Sequence, residues 1–213
     1  MNNIEAFDYK NWKEECWNAI THGIGFLFSI PACVMLILLA AHSGSAIEIV
    51  SFSIFGSSLI ILFCMSTLLH SMPEKYKKFF SILDHSSIYV LIAGTYTPFL
   101  LIAIGGTLGL VLLCIIWGIA IFGIVFKSLF IHRFEAFSLL LYLVMGWLII
   151  FAVKPLYAFI HLEGFCVLLA GGLFFTIGSI FYAWRKLPYN HAIWHLFVIA
   201  GCVCMVYCVA VYL

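Results

Sequence analysis

Four ionisable side chains lie far apart in this chain, yet each lies near an end of an apolar stretch. They are His70, Asp84, His191 and His195, which together supply three imidazoles and a carboxylate. Three histidines leave a tetrahedral zinc ion with one open position for water, which is the catalytic rather than the structural pattern. Placing an ionisable side chain within a membrane costs free energy, so such residues are rare there and are candidates for a functional role. These residues predict a zinc site that activates water.

The spacing of these residues assigns further roles. His191 and His195 are four residues apart, as are Ser66 and His70, so each pair shares one helix face. The glutamate of HExxH proteases is missing between His191 and His195, so the base must come from elsewhere. Asp84 is the candidate, either as general base or as the acceptor that orients the water. Ser66 is the candidate to hold Asp84 or to donate to a developing oxyanion.

A simpler interpretation competes for each histidine. A lone histidine at a helix end is more often an interfacial side chain than a ligand, and this reading is favoured for His42, His132 and His161. His85 is left open between the two readings. For the other three histidines, separate partners would be needed in an apolar environment, where an unsatisfied group costs roughly 1 to 3 kcal/mol. That cost favours shared metal binding.

The composition indicates an integral protein of the cell membrane. The chain is 65% hydrophobic and 9% charged, against about 25% charged residues in usual globular proteins. A net charge of +1 without a basic run gives no reason to expect a nucleic-acid partner. The eight cysteines form no CxxC pair and fall mostly in apolar segments, which is typical of small membrane-helix residues. Residues 1–19 lack the pattern of a cleavable signal peptide.

Apolar runs of membrane-spanning length predict an all-α bundle of seven transmembrane helices. The runs cover residues 20–41, 47–70, 80–103, 107–126, 136–153, 163–183 and 191–213. They predict a membrane domain over residues 20–213. Residues 1–19 interleave apolar and charged positions, which fits a cytoplasmic amphipathic helix at the interface. A plain solvated tail is the alternative.

The basic residues predict the orientation of the bundle. Nine of the ten lysines and arginines fall on one side of the predicted helices, and only Lys154 falls on the other. Because short cytoplasmic loops carry the excess of these residues, the N-terminus is expected inside and the C-terminus outside. This orientation disfavours a G-protein-coupled receptor, and the lack of lysine in residues 191–213 disfavours a retinal protein. The candidate zinc site then lies near the cytoplasmic face.

Several motifs resemble those of the hemolysin III family. They are Glu15-x-x-Asn18-x-x-Thr21-His22-Gly23, Ser66-x-x-x-His70, Asp84-His85-Ser86-x-x-Tyr89, Ala93-Gly94-Thr95-Tyr96-Thr97-Pro98 and His191-x-x-x-His195. The same pattern is similar to that of the progestin and adipoQ receptors, which include the adiponectin receptors. The resemblance implies seven helices and zinc bound by His70, His191 and His195. It also implies that Asp84 contacts the zinc-bound water, with Ser66 in support.

The resemblance leaves three functions open. Alkaline ceramidases in the wider superfamily favour a zinc-dependent hydrolase that cleaves a lipid amide or ester, with a membrane lipid as substrate. The second function is a membrane sensor or receptor in which zinc ties helices together. The third is a pore-forming cytolysin, as the family name suggests. The oligomeric state is left open.

Overall fold

The computed structural model describes residues 9–130 and 134–213, and these residues form helices without any strand. The α-helices are α1 (Tyr9–Ser43), α2 (Ala46–Ser71), α3 (Glu74–Pro98), α4 (Gly106–Leu129), α5 (Glu135–Trp147), α6 (Val153–Ala183) and α7 (Asn190–Tyr212). A π-helical segment, Phe99–Ile104, continues α3, and a 3-10 helical segment, Leu148–Ala152, joins α5 to α6. The predicted all-α class is confirmed.

Six helical stretches in the described part of the chain are long and apolar enough to cross a membrane. They are Trp12–Ser43, Ala46–Ser71, Glu74–Ile104, Gly106–Leu129, Glu135–Ala183 and Asn190–Tyr212. The predicted count of seven is not supported, because the predicted helices 136–153 and 163–183 fall within the single stretch Glu135–Ala183. Helix α6 runs on through Lys154, Pro155 and His161, so these positions do not divide the stretch into separate elements.

The stretch Glu135–Ala183 folds back on itself near His161. This residue has φ 55° and ψ −171°, which lie outside the helical region although they occur within α6. Arg185 pairs with Glu135, and the Trp147 Nε1–H donates to Thr176 Oγ1 over 3.1 Å. Because positions before and after His161 meet in this order, the two halves of the stretch are antiparallel neighbours.

Helix α1 passes residue 19, the predicted boundary of the N-terminal segment, without a break. Residues 1–8 lie outside the described residues. The division into an amphipathic segment of residues 1–19 and a membrane domain of residues 20–213 therefore stays a prediction. The same holds for the predicted cytoplasmic N-terminus.

The packing of the helices places α1 between α2 and α7. Helix α1 contacts both of them, α2 also contacts α3, and α6 contacts α7. Small residues allow this close approach, as is usual between membrane helices. A Cβ added to Gly25 of α1 would lie 2.6 Å from the Phe63 ring of α2, and one added to Gly178 of α6 would lie 2.7 Å from Phe197 Cβ of α7. The C-terminal end of α2 and the start of α7 thus flank the N-terminal half of α1.

Candidate metal centre

Local sequence fixes where the helices that carry the candidate ligands begin and end. Proline lacks a backbone N–H group and disfavours helical backbone at the residue before it, and α2 accordingly ends at Ser71, before Pro73. Helix α3 begins at Glu74, so α2 and α3 are connected by a very short turn. At the other side of the site, Asn190 begins α7 and its amide donates to the carbonyls of Phe181 and Tyr182 over 3.4 and 3.1 Å. These hydrogen bonds hold the first turn of α7 against the end of α6.

Three of the predicted site residues lie together in the structure. One ligand atom from each of His70, His191 and His195 lies within 4.8 Å of the other two. The ring centroids are 5.0 Å apart for His70 and His191, 5.4 Å for His70 and His195, and 4.6 Å for His191 and His195. The side chain of His70 is 6% exposed and His195 is 1% exposed. The cluster is therefore shielded from solvent.

Two of these imidazoles have hydrogen-bond partners on α1. His195 Nδ1 lies 3.0 Å from Thr21 Oγ1 and 3.1 Å from the backbone oxygen of Asn18. His70 Nδ1 lies 3.2 Å from Glu15 Oε2, and Lys77 Nζ donates to that same oxygen over 2.7 Å. In both rings the contacts engage Nδ1 and leave Nε2 for another partner.

The donor set of this cluster fits a transition-metal ion. Neutral imidazole nitrogens suit zinc, whose bonds to nitrogen of about 2.0 to 2.1 Å place tetrahedral ligands about 3.4 Å apart. The observed spacing of up to 4.8 Å requires each ring to move by about 1 Å to reach that separation. His70 Nε2 is buried and has no hydrogen-bond partner among the described residues, so this nitrogen is free to bind a metal ion. The three histidines could hold a metal.

Asp84 and Ser66 lie beside the cluster, on α3 and α2. Both are buried, with 7% and 1% of their surface exposed, and both line the same cavity as His191 and His195. Ser66 Oγ has no hydrogen-bond partner among the described residues. His85 lies next to Asp84, with Nδ1 3.8 Å from Asp84 Oδ2, but that nitrogen donates to the Ser81 carbonyl of its own helix over 2.7 Å. His85 Nδ1 is thus engaged by its own helix.

Two adjacent cavities lie beside the cluster and within the bundle. The first has a volume of about 140 Å³ and is lined by Ser66, Asp84, His191 and His195 among others; we call it the histidine chamber. The second has a volume of about 290 Å³ and is lined by apolar groups such as Phe165; we call it the apolar chamber. Six residues line both chambers, and we call this shared boundary the passage: Thr95, Tyr96, Gly146, Trp147, Gly172 and Met205.

The sequence alone assigned no specific role to Glu15, Asn18, Thr21 and His22 beyond their place in a motif that resembles the hemolysin III family. In the structure, Asn18, Thr21 and His22 are buried, and the His22 ring stacks on His195 with a centroid distance of 3.4 Å and an interplanar angle of 13°. Their spacing of three and four residues places all four on one face of α1. That shared face was the available signal.

Comparisons with known proteins give the same assignment over nearly the whole chain. A family model described as Haemolysin-III related matches residues 10–206. The chain is 58% identical to a Hemolysin-3 homolog of Bacillus subtilis over 94% of each protein. It is 56% identical to Hemolysin-3 of Bacillus cereus, covering 94% of this chain and 92% of that protein. It is also 30% identical to the human monocyte to macrophage differentiation factor, covering 94% and 84%.

The long apolar helices agree with this assignment and indicate a multi-pass protein of the cell membrane. Both the match to the family model and the identity to the two Bacillus proteins extend through the segments that carry the histidine cluster. The chain belongs to the haemolysin-III-related family.

Proposed function

We propose that this protein is a zinc-dependent hydrolase that cleaves an amide or ester bond of a membrane lipid. His70, His191 and His195 hold the zinc ion, and Asp84 and Ser66 are the catalytic residues. The observation that carries the proposal is the convergence of three histidine ligand atoms within 4.8 Å. A cavity beside them is lined by both Asp84 and Ser66. Acid–base groups next to a metal-binding cluster are the arrangement that hydrolysis requires.

We further propose that the stretch Glu135–Ala183 crosses the membrane twice, which gives seven crossings. Its 49 residues would extend about 74 Å as one straight helix at 1.5 Å per residue, against a hydrocarbon thickness of about 30 Å. The reversal near His161 and the antiparallel contacts on either side of it support two crossings. With seven crossings, the distribution of lysines and arginines favours a cytoplasmic N-terminus and a site at the cytoplasmic face.

The side chains around the cluster suit the hydrolysis of a carbonyl compound. Zinc, when bound, supplies a Lewis acid that polarises a carbonyl group and makes water easier to deprotonate. Asp84 accepts the proton of the attacking water as its oxygen bonds to the carbonyl carbon, and then returns it to the leaving amine or alcohol as the C–N or C–O bond breaks. Ser66 donates to the oxygen on which negative charge develops. The products are a carboxylic acid and the amine or alcohol.

The surroundings of the site favour a lipid over a soluble substrate. The apolar chamber continues from the histidine chamber into the bundle, and none of its lining residues is charged. An apolar cavity with a few convergent polar groups at one end is typical of a binding site for a ligand with a long hydrocarbon part. The scissile bond lies at the polar end, and the hydrocarbon chain occupies the apolar chamber.

The Asp84→Asn variant tests the proposal in full-length protein reconstituted in lipid nanodiscs. We expect about one zinc ion per chain in both proteins, because a single three-histidine site leaves room for one ion. Zinc content and thermal stability stay unchanged, whereas turnover of a panel of ceramides and acyl esters falls by about 10²- to 10⁴-fold. Glu163→Gln, which removes an exposed carboxylate near the reversal at His161, is the matched control and keeps full turnover.

Two results would contradict this assignment. Unchanged turnover in Asp84→Asn would show that the Asp84 carboxylate takes no part in the reaction. Stable zinc binding without turnover of any lipid in the panel favours instead a sensor or receptor, in which the metal ties the helices together.

The names of two relatives favour a second candidate function. Proteins named Hemolysin-3 and Hemolysin-3 homolog are 56% and 58% identical to this chain, so a membrane-permeabilising activity is the alternative to hydrolysis. Dye release from liposomes that contain the purified protein distinguishes the two. Release that persists after a chelator has removed the metal supports the cytolysin, and its absence supports the hydrolase.

A further inference from the structure

Helix α1 presents a row of polar groups to the two histidines that lie on its flanks. Glu15, Asn18 and Thr21 follow one another at intervals of three residues, and α1 contacts both α2 and α7. We propose that α1 fixes the tautomers of two metal ligands, with Glu15 acting through His70 and with Thr21 and the Asn18 carbonyl acting through His195. This inference rests on the proposed zinc site and assigns its positioning residues.

The contacts of His195 determine which of its nitrogens carries the proton. The backbone oxygen of Asn18, 3.1 Å from Nδ1, has lone pairs and no hydrogen, so it can only accept. Thr21 Oγ1 donates its own hydrogen to the Trp17 carbonyl over 2.8 Å or to the Asn18 carbonyl over 3.0 Å, and it therefore also accepts from Nδ1. Nδ1 of His195 is the protonated nitrogen, and in a neutral ring Nε2 keeps its lone pair for a metal.

The contacts of His70 lead to the same pattern by a different route. Its Nδ1 faces Glu15 Oε2 at 3.2 Å, and the ammonium group of Lys77 lies 2.7 Å from that oxygen. A carboxylate paired with a lysine accepts hydrogen bonds only, so Nδ1 of His70 is the donor. The opposite nitrogen, Nε2, is the buried atom without a hydrogen-bond partner in the described part of the chain. Both rings thus offer Nε2 toward the cluster.

Ring stacking adds a steric restraint to these hydrogen bonds. The His22 ring lies nearly parallel to His195 at a centroid distance of 3.4 Å, so it opposes rotation of that ring out of its plane. A metal-bound histidine commonly donates its other nitrogen to a carboxylate or a carbonyl, which fixes its orientation and raises its basicity. Here one helix supplies a carboxylate for one ligand and a carbonyl with a hydroxyl for another.

Zinc affinity of the full-length protein in detergent micelles tests this assignment, with Zn²⁺ alone as the probe and a chelating dye as competitor. We expect Thr21→Val and Glu15→Ala to weaken zinc binding by about 10- to 100-fold. Thr21→Ser restores the affinity because it keeps the hydroxyl. Two variants serve as matched controls that keep wild-type affinity. Thr67→Val removes a hydroxyl that bonds only to its own helix, and Glu74→Ala removes the other carboxylate beside Lys77.

Nitrogen NMR of histidine-labelled, zinc-loaded wild-type protein gives a readout that does not depend on the folding of any variant. We expect protonated Nδ1 and zinc-bound Nε2 in both His70 and His195. A zinc-bound Nδ1 in either ring would overturn the assignment for that ring, as would unchanged affinity in Thr21→Val and Glu15→Ala. Failure of the wild-type protein to bind zinc at all would instead remove the proposed function, so the two failures are distinguishable.

Discussion

The histidine chamber and the apolar chamber are adjacent and both have many apolar lining residues, but only the first adds histidine and aspartate side chains. The first contains the buried polar groups of Ser66, Asp84 and His195. The second is lined by aliphatic and aromatic residues, and its polar lining groups are Thr95, Tyr96 and Trp147 at the passage that it shares with the first. Polarity in this cavity system therefore falls along the path from the cluster into the bundle.

This difference indicates that recognition of a hydrocarbon chain and bond cleavage take place in different parts of the cavity system. Polar groups are costly in lipid unless they have partners, and here they concentrate where α1, α2, α3 and α7 meet. The Nδ1 atoms of His70 and His195 have partners on α1, whereas His70 Nε2 has none among the described residues. The remainder of the cavity needs only volume and apolar walls to accept a hydrocarbon chain. Changes in the histidine chamber should therefore alter metal binding and catalysis, whereas changes at the passage should alter which chain lengths are accepted.

The largest effect is expected from removing two ligands of the histidine chamber. The double variant His191→Ala, His195→Ala leaves one of the three proposed ligands, His70, which cannot retain zinc against a chelator. Elemental analysis of the purified protein should fall from about one zinc ion per chain to none. His42→Ala is the matched control, because His42 lies in the last turn of α1, away from the cluster, and is exposed. Zinc retained in the double variant would contradict the ligand assignment.

A smaller and more selective effect is expected at the passage. A Cβ added to Gly172 meets no atom within 4 Å, so the side chain of Gly172→Leu has room to extend into the space between the chambers. Long-chain substrates should lose turnover by about tenfold or more, since a few methylenes in an apolar pocket are worth that factor. Short-chain substrates and zinc content should change little.

The control for this substitution lies on another helix. Gly118→Leu also adds a side chain that meets nothing within 4 Å, but Gly118 is exposed on α4 and lines neither chamber. It should leave the turnover of both chain lengths unchanged. An equal loss of turnover for short-chain and long-chain substrates in Gly172→Leu would contradict the assignment of chain-length selection to the passage and catalysis to the histidine chamber.

Features that depend on one segment were predictable from the sequence. Apolar runs give the helical class, and the four-residue spacing of His191 and His195 gives their shared face. The count of spans differs because helical structure continues through Lys154, Pro155, His161 and Glu163, the polar and proline positions that separate the two apolar runs by composition. The backbone of His161 departs from the helical region there, and hydropathy does not specify such a change in one residue.

Features that depend on which helices are neighbours were not predictable. The sequence places Glu15 and Thr21 on one face of α1, but periodicity does not say which helix that face meets. Only the packing of α1 between α2 and α7 reveals that Glu15 meets His70 and Thr21 meets His195. Glycines such as Gly25, whose missing side chain permits this contact, carry no mark that identifies their partner.

The smallest effect tests whether the passage can be weakened without disturbing the histidine chamber. Tyr96 belongs to α3, and its hydroxyl reaches the junction between α5 and the 3-10 helical segment. There it donates to the Gly146 carbonyl over 2.8 Å and accepts from the Ile149 N–H over 2.9 Å. Backbone groups released by such a change of helix type need partners inside a membrane. Tyr96→Phe leaves both without this hydroxyl, which should lower the free energy of unfolding by about 1 to 3 kcal/mol.

Thermal unfolding in detergent measures this change, and zinc content should stay at the wild-type level because Tyr96 bonds to α5 rather than to the cluster. Tyr157→Phe is the matched control, since that side chain is 46% exposed and its loss of a hydroxyl should leave stability unchanged. Zinc loss in Tyr96→Phe at temperatures where the protein remains folded would show that the passage and the histidine chamber are coupled. Zinc retention together with reduced stability would support their independence, because the hydroxyl then stabilises the bundle without reaching the metal ligands.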